Sequence, residues 1–146
     1  MNIKVRNYYY LIAGILAMLF AITHAWNGQS AVLPTLDVGL ISLETRTVFT
    51  YVWHIITVEN LVFGIVFILM SLQSERSKIL IAVWMIVSIL IFRLMVILCV
   101  TAFHEASALT DTLIDSITIV IYIAIIIMGT RKNQYGGQPP QSSIGQ

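Results

Sequence analysis

Four runs of apolar residues follow one another along the chain, at about residues 8–26, 48–70, 79–103 and 113–130. Each run is near or above the roughly 18–20 residues that an α-helix needs to cross about 30 Å of hydrocarbon. None of them alternates polar and apolar residues as a transmembrane β-strand does, and only helices or closed barrels can span lipid. The pattern therefore predicts an all-α membrane protein, a four-transmembrane-helix bundle.

The basic residues that flank the runs predict the orientation of the helices. A chain that crosses the membrane four times has most of its cations on one side: Lys4, Arg6, Arg76, Lys78, Arg131 and Lys132. The other side has Arg46 together with several acidic residues. Because cytoplasmic loops carry the excess of Lys and Arg, we predict that both chain ends are cytoplasmic. Residues 1–132 then form one transmembrane domain, and residues 133–146 a disordered tail rich in Gly, Pro, Gln and Ser.

The first run has an alternative interpretation as a cleaved signal peptide. It follows a basic start, and Thr23-His24-Ala25 has the small-x-small pattern of a cleavage site. However, the run is as long as a full span. Its tyrosines, Tyr8 to Tyr10, are typical of an aromatic belt at the membrane interface. We therefore favour a first helix that is retained.

The connection at residues 27–47 is the longest between two runs. Asn27-Gly28 and Pro34 predict turns in it. Ser42, closely followed by Glu44, predicts the start of the second helix because a serine hydroxyl accepts a hydrogen bond from an otherwise unpaired helix N–H.

Composition limits the classes of function. Of the 146 residues, 58% are hydrophobic and 10% are charged, and the mean hydropathy is +0.90, so water cannot be the solvent for most of the surface. The formal net charge of +1 argues against a nucleic-acid partner, which requires a strongly basic face. The lone Cys99 excludes an internal disulfide and a cysteine-based zinc motif.

Helical spacing assigns faces to the polar residues within the first two runs. Small residues recur every four positions in the first helix, at Ala13, Ala17, Ala21 and Ala25, and allow a close helix neighbour. His24 falls in the same sector and is expected to face protein. The inward face of the second helix comprises Thr50, Trp53, His54, Thr57, Asn60 and Gly64.

Glu59 and Arg93 are charged residues deep in the second and third runs. Their depths agree within roughly 2 Å, so an ion pair between the two helices is geometrically possible. A structural pair that fixes the helix register is one interpretation, and a path for protons or substrate is another. Glu59 lies on the otherwise apolar side of its helix, so a contact with another subunit is a third.

Polar residues also converge on the predicted outer membrane boundary: His24, His104, Glu105, Asp111 and Asp115. His54 lies roughly 9 Å deeper, which disfavours one site with three histidines. His24, His104 and Asp115 are the better metal candidates, and His24 with His104 is a candidate for bis-histidine haem ligation. The carboxylates of Asp111 and Asp115 have a simpler explanation, because the positive end of a helix dipole stabilises them.

No catalytic motif, phosphate loop or nucleophile with an adjacent base occurs in the chain. We therefore expect a small integral membrane protein that acts as a non-enzymatic accessory or binding component. The alternative is metal or haem binding, or proton-linked transport, at the outer cluster formed by His24, His54, His104, Asp111 and Asp115. The expected partners are the lipid bilayer and either a second copy of the chain or a larger membrane complex. A bacterial inner membrane is the expected location.

Overall fold

A computed structural model describes residues 4–37 and 41–135, and its four long elements are all α-helices. They are α1 (Tyr8–Asn27), α2 (Leu43–Leu72), α3 (Arg76–His104) and α4 (Leu109–Tyr135). No β-strand occurs in the described residues. The predicted all-α fold with four membrane-length helices is confirmed, because each helix is long and apolar enough to cross a membrane.

The helices expose large apolar side chains along their lengths. Ile22, Ile55, Met85 and Ile114, one from each helix, are all more than half exposed. Contact of so much apolar surface with water is unfavourable by roughly 25 cal/mol per Å², whereas lipid chains solvate it without this cost. The four helices and their exposed apolar surfaces are those of a multi-pass integral membrane protein.

The chain remains helical after α1, so the turns predicted at Asn27-Gly28 and Pro34 are wrong. A π-helix covers Gly28–Val32, and a 3-10 helix covers Leu33–Asp37. Asn27 has right-handed helical angles, and no described residue has a positive φ. Pro34 is tolerated because it is the second residue of its helix, where no N–H is needed for an intrahelical bond.

Ser42 begins α2 as the sequence predicts. Its hydroxyl oxygen accepts a hydrogen bond from the backbone N–H of Thr45 at 3.2 Å, which satisfies one of the unpaired donors of the first turn. The Ser42 and Thr45 hydroxyls also lie 2.9 Å apart. The start of α2 is therefore fixed locally, by a cap that the sequence itself contains.

The described chain divides into two compact units. The first, which we call the α1–α2 unit, comprises Leu11–Met70. Within it α1 and α2 approach closely at two glycines: an added Cβ at Gly14 would lie 2.9 Å from the carbonyl oxygen of Gly64, and one at Gly64 would lie 3.0 Å from that of Gly14. Such backbone contact is possible only without side chains at both positions.

The second unit, the α3–α4 unit, comprises the described parts of Met1–Tyr10 and Ser71–Gln146. Helices α3 and α4 pack directly against each other, joined through a short 3-10 helix at Ala106–Ala108. Apolar side chains on both helices are buried, among them Val83, Val87, Leu90 and Ile126.

Asn7 ties the N-terminal segment to the rest of the α3–α4 unit. Its side-chain oxygen accepts from the backbone N–H groups of Tyr9 and Tyr10, so it caps α1, and its amide donates to the carbonyl oxygen of Gly129 at 2.9 Å. The backbone N–H of Asn7 donates to the carbonyl oxygen of Ser71 at 3.1 Å, near the end of α2. One buried amide thus stabilises both a helix start and a contact 122 residues away in sequence.

The tyrosines at the start of α1 do not act alike. Tyr8 is 58% exposed and suits the interface, but Tyr10 is fully buried. An added Cβ at Gly129 would overlap the Tyr10 ring, so the ring lies directly on the α4 backbone. Tyr10 is therefore a core residue and not part of the predicted belt. Most of the predicted tail, residues 136–146, lies outside the described residues.

Candidate functional site

Five residues meet where α1 and α2 are connected, and we call them the loop-end cluster. His24, at the end of α1, and Gly28 and Gln29, in the following π-helix, come from one side, and Trp53 and His54 come from α2. All five belong to the α1–α2 unit. The cluster therefore contains two of the three histidines in the chain.

The rings of His24 and Trp53 are stacked. Their centroids are 4.2 Å apart and their planes differ by 7°. The indole N–H of Trp53 also donates to the backbone carbonyl oxygen of His24 at 2.9 Å. A carbonyl oxygen has two lone pairs, so it can accept this bond in addition to one within its own helix. Trp53 therefore joins α2 to the backbone of α1 while its ring covers the imidazole.

Gly28 provides the space for this tryptophan. An added Cβ at Gly28 would overlap the indole of Trp53, and Gly28 is buried. His24 and Gly28 are four residues apart, so they lie on the same face of a helix. The Asn27-Gly28 pair favours a turn. Had the first helix been predicted to continue through Gly28, its spacing would have placed His24 and Gly28 on one face.

His54 is held by a second contact. Its Nε2 lies 3.1 Å from the side-chain nitrogen of Gln29. With an amide N–H group facing it, Nε2 acts as the acceptor, which leaves the proton of neutral His54 on Nδ1. Gln29 therefore orients the His54 ring and selects its tautomer. Nothing in the sequence pattern identified Gln29, because the contact depends on how α1 and α2 cross.

His54 also lines an open groove along the first half of α2, which we call the α2 groove. The groove has a volume of about 780 Å³. Its lining residues lie on one face of the helix: Leu43, Arg46, Thr47, Thr50, Tyr51, His54, Ile55 and Val58. Beyond Leu43, the part near the start of α2 is polar, with Arg46, Thr47 and Thr50, whereas Ile55 and Val58 make the deeper part apolar.

The two threonine hydroxyl groups in the groove donate their hydrogen bonds to the backbone of α2. Thr47 donates to the carbonyl oxygen of Leu43 and Thr50 donates to that of Arg46, both at 2.9 Å. Each hydroxyl hydrogen is therefore used within the helix, and the oxygen lone pairs remain to accept hydrogen bonds from a ligand. Sequence reasoning placed Thr50 on the inward face and did not identify Arg46 or Thr47.

The other predicted site residues lie elsewhere. His104 ends α3 and is exposed, as is Asp115 on α4, and both belong to the α3–α4 unit. Asp111 lies in α4, but its side chain is outside the described residues. Among the side chains that are described, no three His, Cys, Asp or Glu residues are grouped so that they could hold a metal ion. The pairing of His24 with His104 stays a prediction.

Glu59 and Arg93 are both half-buried and each has an interaction partner. Glu59 lies on α2 and Arg93 on α3, in different units. Their predicted ion pair stays a prediction.

Comparison with known proteins identifies no relative. No family, no curated protein and no solved structure matches this chain significantly.

Proposed function

We propose that this protein is a non-enzymatic binding component of a membrane, and that it binds its ligand at the loop-end cluster and the α2 groove. The observation that carries the proposal is the position of His54. Gln29 holds one side of its ring, and the residue lines a groove of ligand size. A polar side chain oriented by a second residue is typical of a preorganised binding site.

The geometry favours binding over catalysis. A nucleophilic hydroxyl requires a nearby base that takes its proton. In the groove the hydroxyls of Thr47 and Thr50 donate to backbone carbonyls and not to His54. His54 itself contacts a neutral amide, and not a carboxylate that would make it a stronger base.

The proposal includes a location. The one-sided distribution of Lys and Arg supports a topology with both termini in the cytoplasm, which would put the groove at the outer membrane face. The proposed location is a bacterial inner membrane. A second copy of the chain or a larger complex is the alternative occupant of this surface.

Photo-crosslinking from within the groove tests the proposal. Benzoylphenylalanine replaces Tyr51, which is 51% exposed in the groove, and separately Val96, which is 60% exposed on α3. Tyr51 is eight residues from the first residue of α2, and Val96 is eight residues from the last residue of α3. In a chain that crosses the membrane four times, the two probes are therefore expected at similar depth below the same membrane face. Cells are irradiated, and adducts on the purified protein are identified by mass spectrometry.

If the groove binds a specific ligand, the probe at position 51 should form one dominant adduct. The probe at position 96 should form little of that same adduct. Similar mixtures of adducts at both positions would contradict the proposal, because they are expected when lipids merely surround the helices at random.

A further inference from the structure

We propose that the α2 groove binds a quinone with a long apolar tail, whose ring is held by Tyr51 and His54. This inference rests on the proposed binding function and specifies the chemistry of the ligand. Three features support it: the depth of His54 in the membrane, the hydrogen-bond donors that the two side chains offer, and the apolar surface that continues below them along α2.

His54 lies too deep in the membrane to contact the headgroup of a phospholipid. Helix α2 has 30 residues, so it is about 45 Å long, whereas the hydrocarbon layer is about 30 Å thick. With the helix centred, about 7 Å at each end extends beyond the hydrocarbon. His54 is eleven residues from Leu43, the first residue of α2, and therefore lies about 9 Å inside the hydrocarbon. At this depth an uncharged ligand is strongly favoured over a charged one.

Two hydrogen-bond donors in the middle of the groove have no acceptor among the described residues. With Nε2 of His54 facing the amide of Gln29, the proton of the neutral ring is on Nδ1. Neither this N–H nor the hydroxyl of Tyr51 donates to a described residue. Both side chains line the groove. Because an unpaired donor in hydrocarbon is unfavourable, the two side chains favour a ligand that brings acceptors.

A 1,4-quinone has the acceptors that this arrangement requires. It is planar and uncharged, and its two carbonyl groups stand at opposite ends of the ring. Tyr51 and His54 are three residues apart, about 4.5 Å along the axis of α2, and are neighbours on one face of the helix. One carbonyl oxygen can therefore accept from the Tyr51 hydroxyl and the other from Nδ1 of His54. A phospholipid is a poor substitute, because its charged phosphate keeps its ester carbonyls near the membrane surface.

The surface of α2 below His54 is suited to an apolar tail. Val58, Val62, Ile65 and Leu69 follow one another at spacings of three or four residues, so they form one stripe, and each is about half exposed. Val58 also lines the groove. The stripe begins one helical turn below His54 and continues for about 16 Å toward the opposite membrane face. A tail that leaves the ring here stays in contact with the protein along most of the hydrocarbon layer.

The test measures the binding of decylubiquinone, a quinone with a decyl tail. The full chain is immobilised on an affinity resin in detergent. The quinone that it retains above a protein-free resin is extracted and quantified over a range of concentrations. We expect saturable binding at a single site. Undecylbenzene, which has a ring and a tail but no carbonyl groups, should not displace the quinone, and neither should phosphatidylglycerol.

Two variants each remove one donor and keep an aromatic ring. Tyr51→Phe loses the hydroxyl, and His54→Phe loses the ring N–H. Each should weaken quinone binding about fivefold, the equivalent of about 1 kcal/mol for one hydrogen bond. Tyr8→Phe is the control and should leave binding unchanged, since it removes the hydroxyl of an exposed tyrosine at the start of α1. Thermal unfolding of each variant verifies that it is folded.

Quinone binding that Tyr51→Phe or His54→Phe leaves unchanged would overturn the inference, as would a loss in Tyr8→Phe as large as theirs. Displacement by undecylbenzene would show that only the apolar tail is recognised, and displacement by phosphatidylglycerol would show that the groove binds phospholipid. Either result would also overturn it. In these cases a dominant adduct of another kind at position 51 would still support the proposed binding function, so the two proposals can fail separately.

Discussion

The imidazole of His24 lies flat against the indole of Trp53, with centroids 4.2 Å apart, while the same indole donates its N–H to the backbone carbonyl oxygen of His24. One side chain of α2 thus contacts both the ring and the backbone of a single residue of α1. Because Trp53 is followed directly by His54, any change in the Trp53 position is expected to move His54 relative to Gln29.

Trp53→Phe tests this contact. Phenylalanine keeps an aromatic ring for stacking but has no N–H, so the hydrogen bond to the carbonyl oxygen of His24 is lost. We expect a loss of about 1 kcal/mol in the free energy of unfolding, seen as a lower midpoint for thermal unfolding in detergent. Trp84→Phe is the control, because Trp84 is 52% exposed on α3. An equal shift for both variants would show that the hydrogen bond is unimportant.

Asn7 offers a second test, in which two variants separate its two roles. Asn7→Ser keeps a side-chain oxygen that can cap α1 but is too short to donate to Gly129, and should cost about 1 kcal/mol. Asn7→Ala loses both interactions and should cost about 2 kcal/mol. Asn27→Ala is the control, since the Asn27 side chain makes no cap hydrogen bond. If serine and alanine are equally destabilising, the cap contributes nothing.

Glu59 and Arg93 are predicted to form an ion pair within the membrane. Removing one partner strands the other, which typically costs about 3–5 kcal/mol for a buried pair. We expect Glu59→Gln and Arg93→Met each to reduce the yield of folded protein more than the double substitution does. Gel filtration in detergent measures the yield. Additive losses, with Glu59→Gln dissociating an oligomer, would instead place Glu59 at a subunit interface.

Topology follows from the Lys and Arg distribution. Reporter fusions after Lys132 and within residues 73–78 should be active only as cytoplasmic reporters, and fusions near Gln29 or Ser107 only as external ones. An external C-terminus would contradict the orientation, and with it the location of the α2 groove at the outer face.

The predicted metal or haem site has a direct test. If His24 and His104 are shared ligands, purified protein should contain stoichiometric metal or show a Soret band, and either His24→Ala or His104→Ala should lower the occupancy. Asp115→Asn should have a smaller effect of the same kind on a metal. No metal and no haem in the wild-type protein under any tested supply would remove this hypothesis.

The sequence alone determined the four helices. Their apolar runs are long enough to span lipid, and within a membrane a backbone must form its own hydrogen bonds, so length and composition specify helices without reference to any neighbour. Sequence patterns that involve only neighbouring residues were reliable predictors for the same reason. Ser42 was recognised as the start of α2 because a cap involves residues only three positions apart. Helical spacing likewise placed Gly64 on the inward face of α2, where it lies against the backbone of Gly14.

Only the tertiary structure decided which polar residues meet. Trp53 could reach the backbone of His24 only where α1 and α2 cross at a particular depth and rotation, and Asn7 contacts Gly129 across 122 residues. Helical periodicity assigns a residue to a face of its own helix but not to a partner on another. The π-helix at Gly28–Val32 shows the same limit, because an Asn-Gly pair favours a turn in isolation. Here the Trp53 ring lies on Gly28, and this contact, with the helix that continues through it, replaces the expected turn.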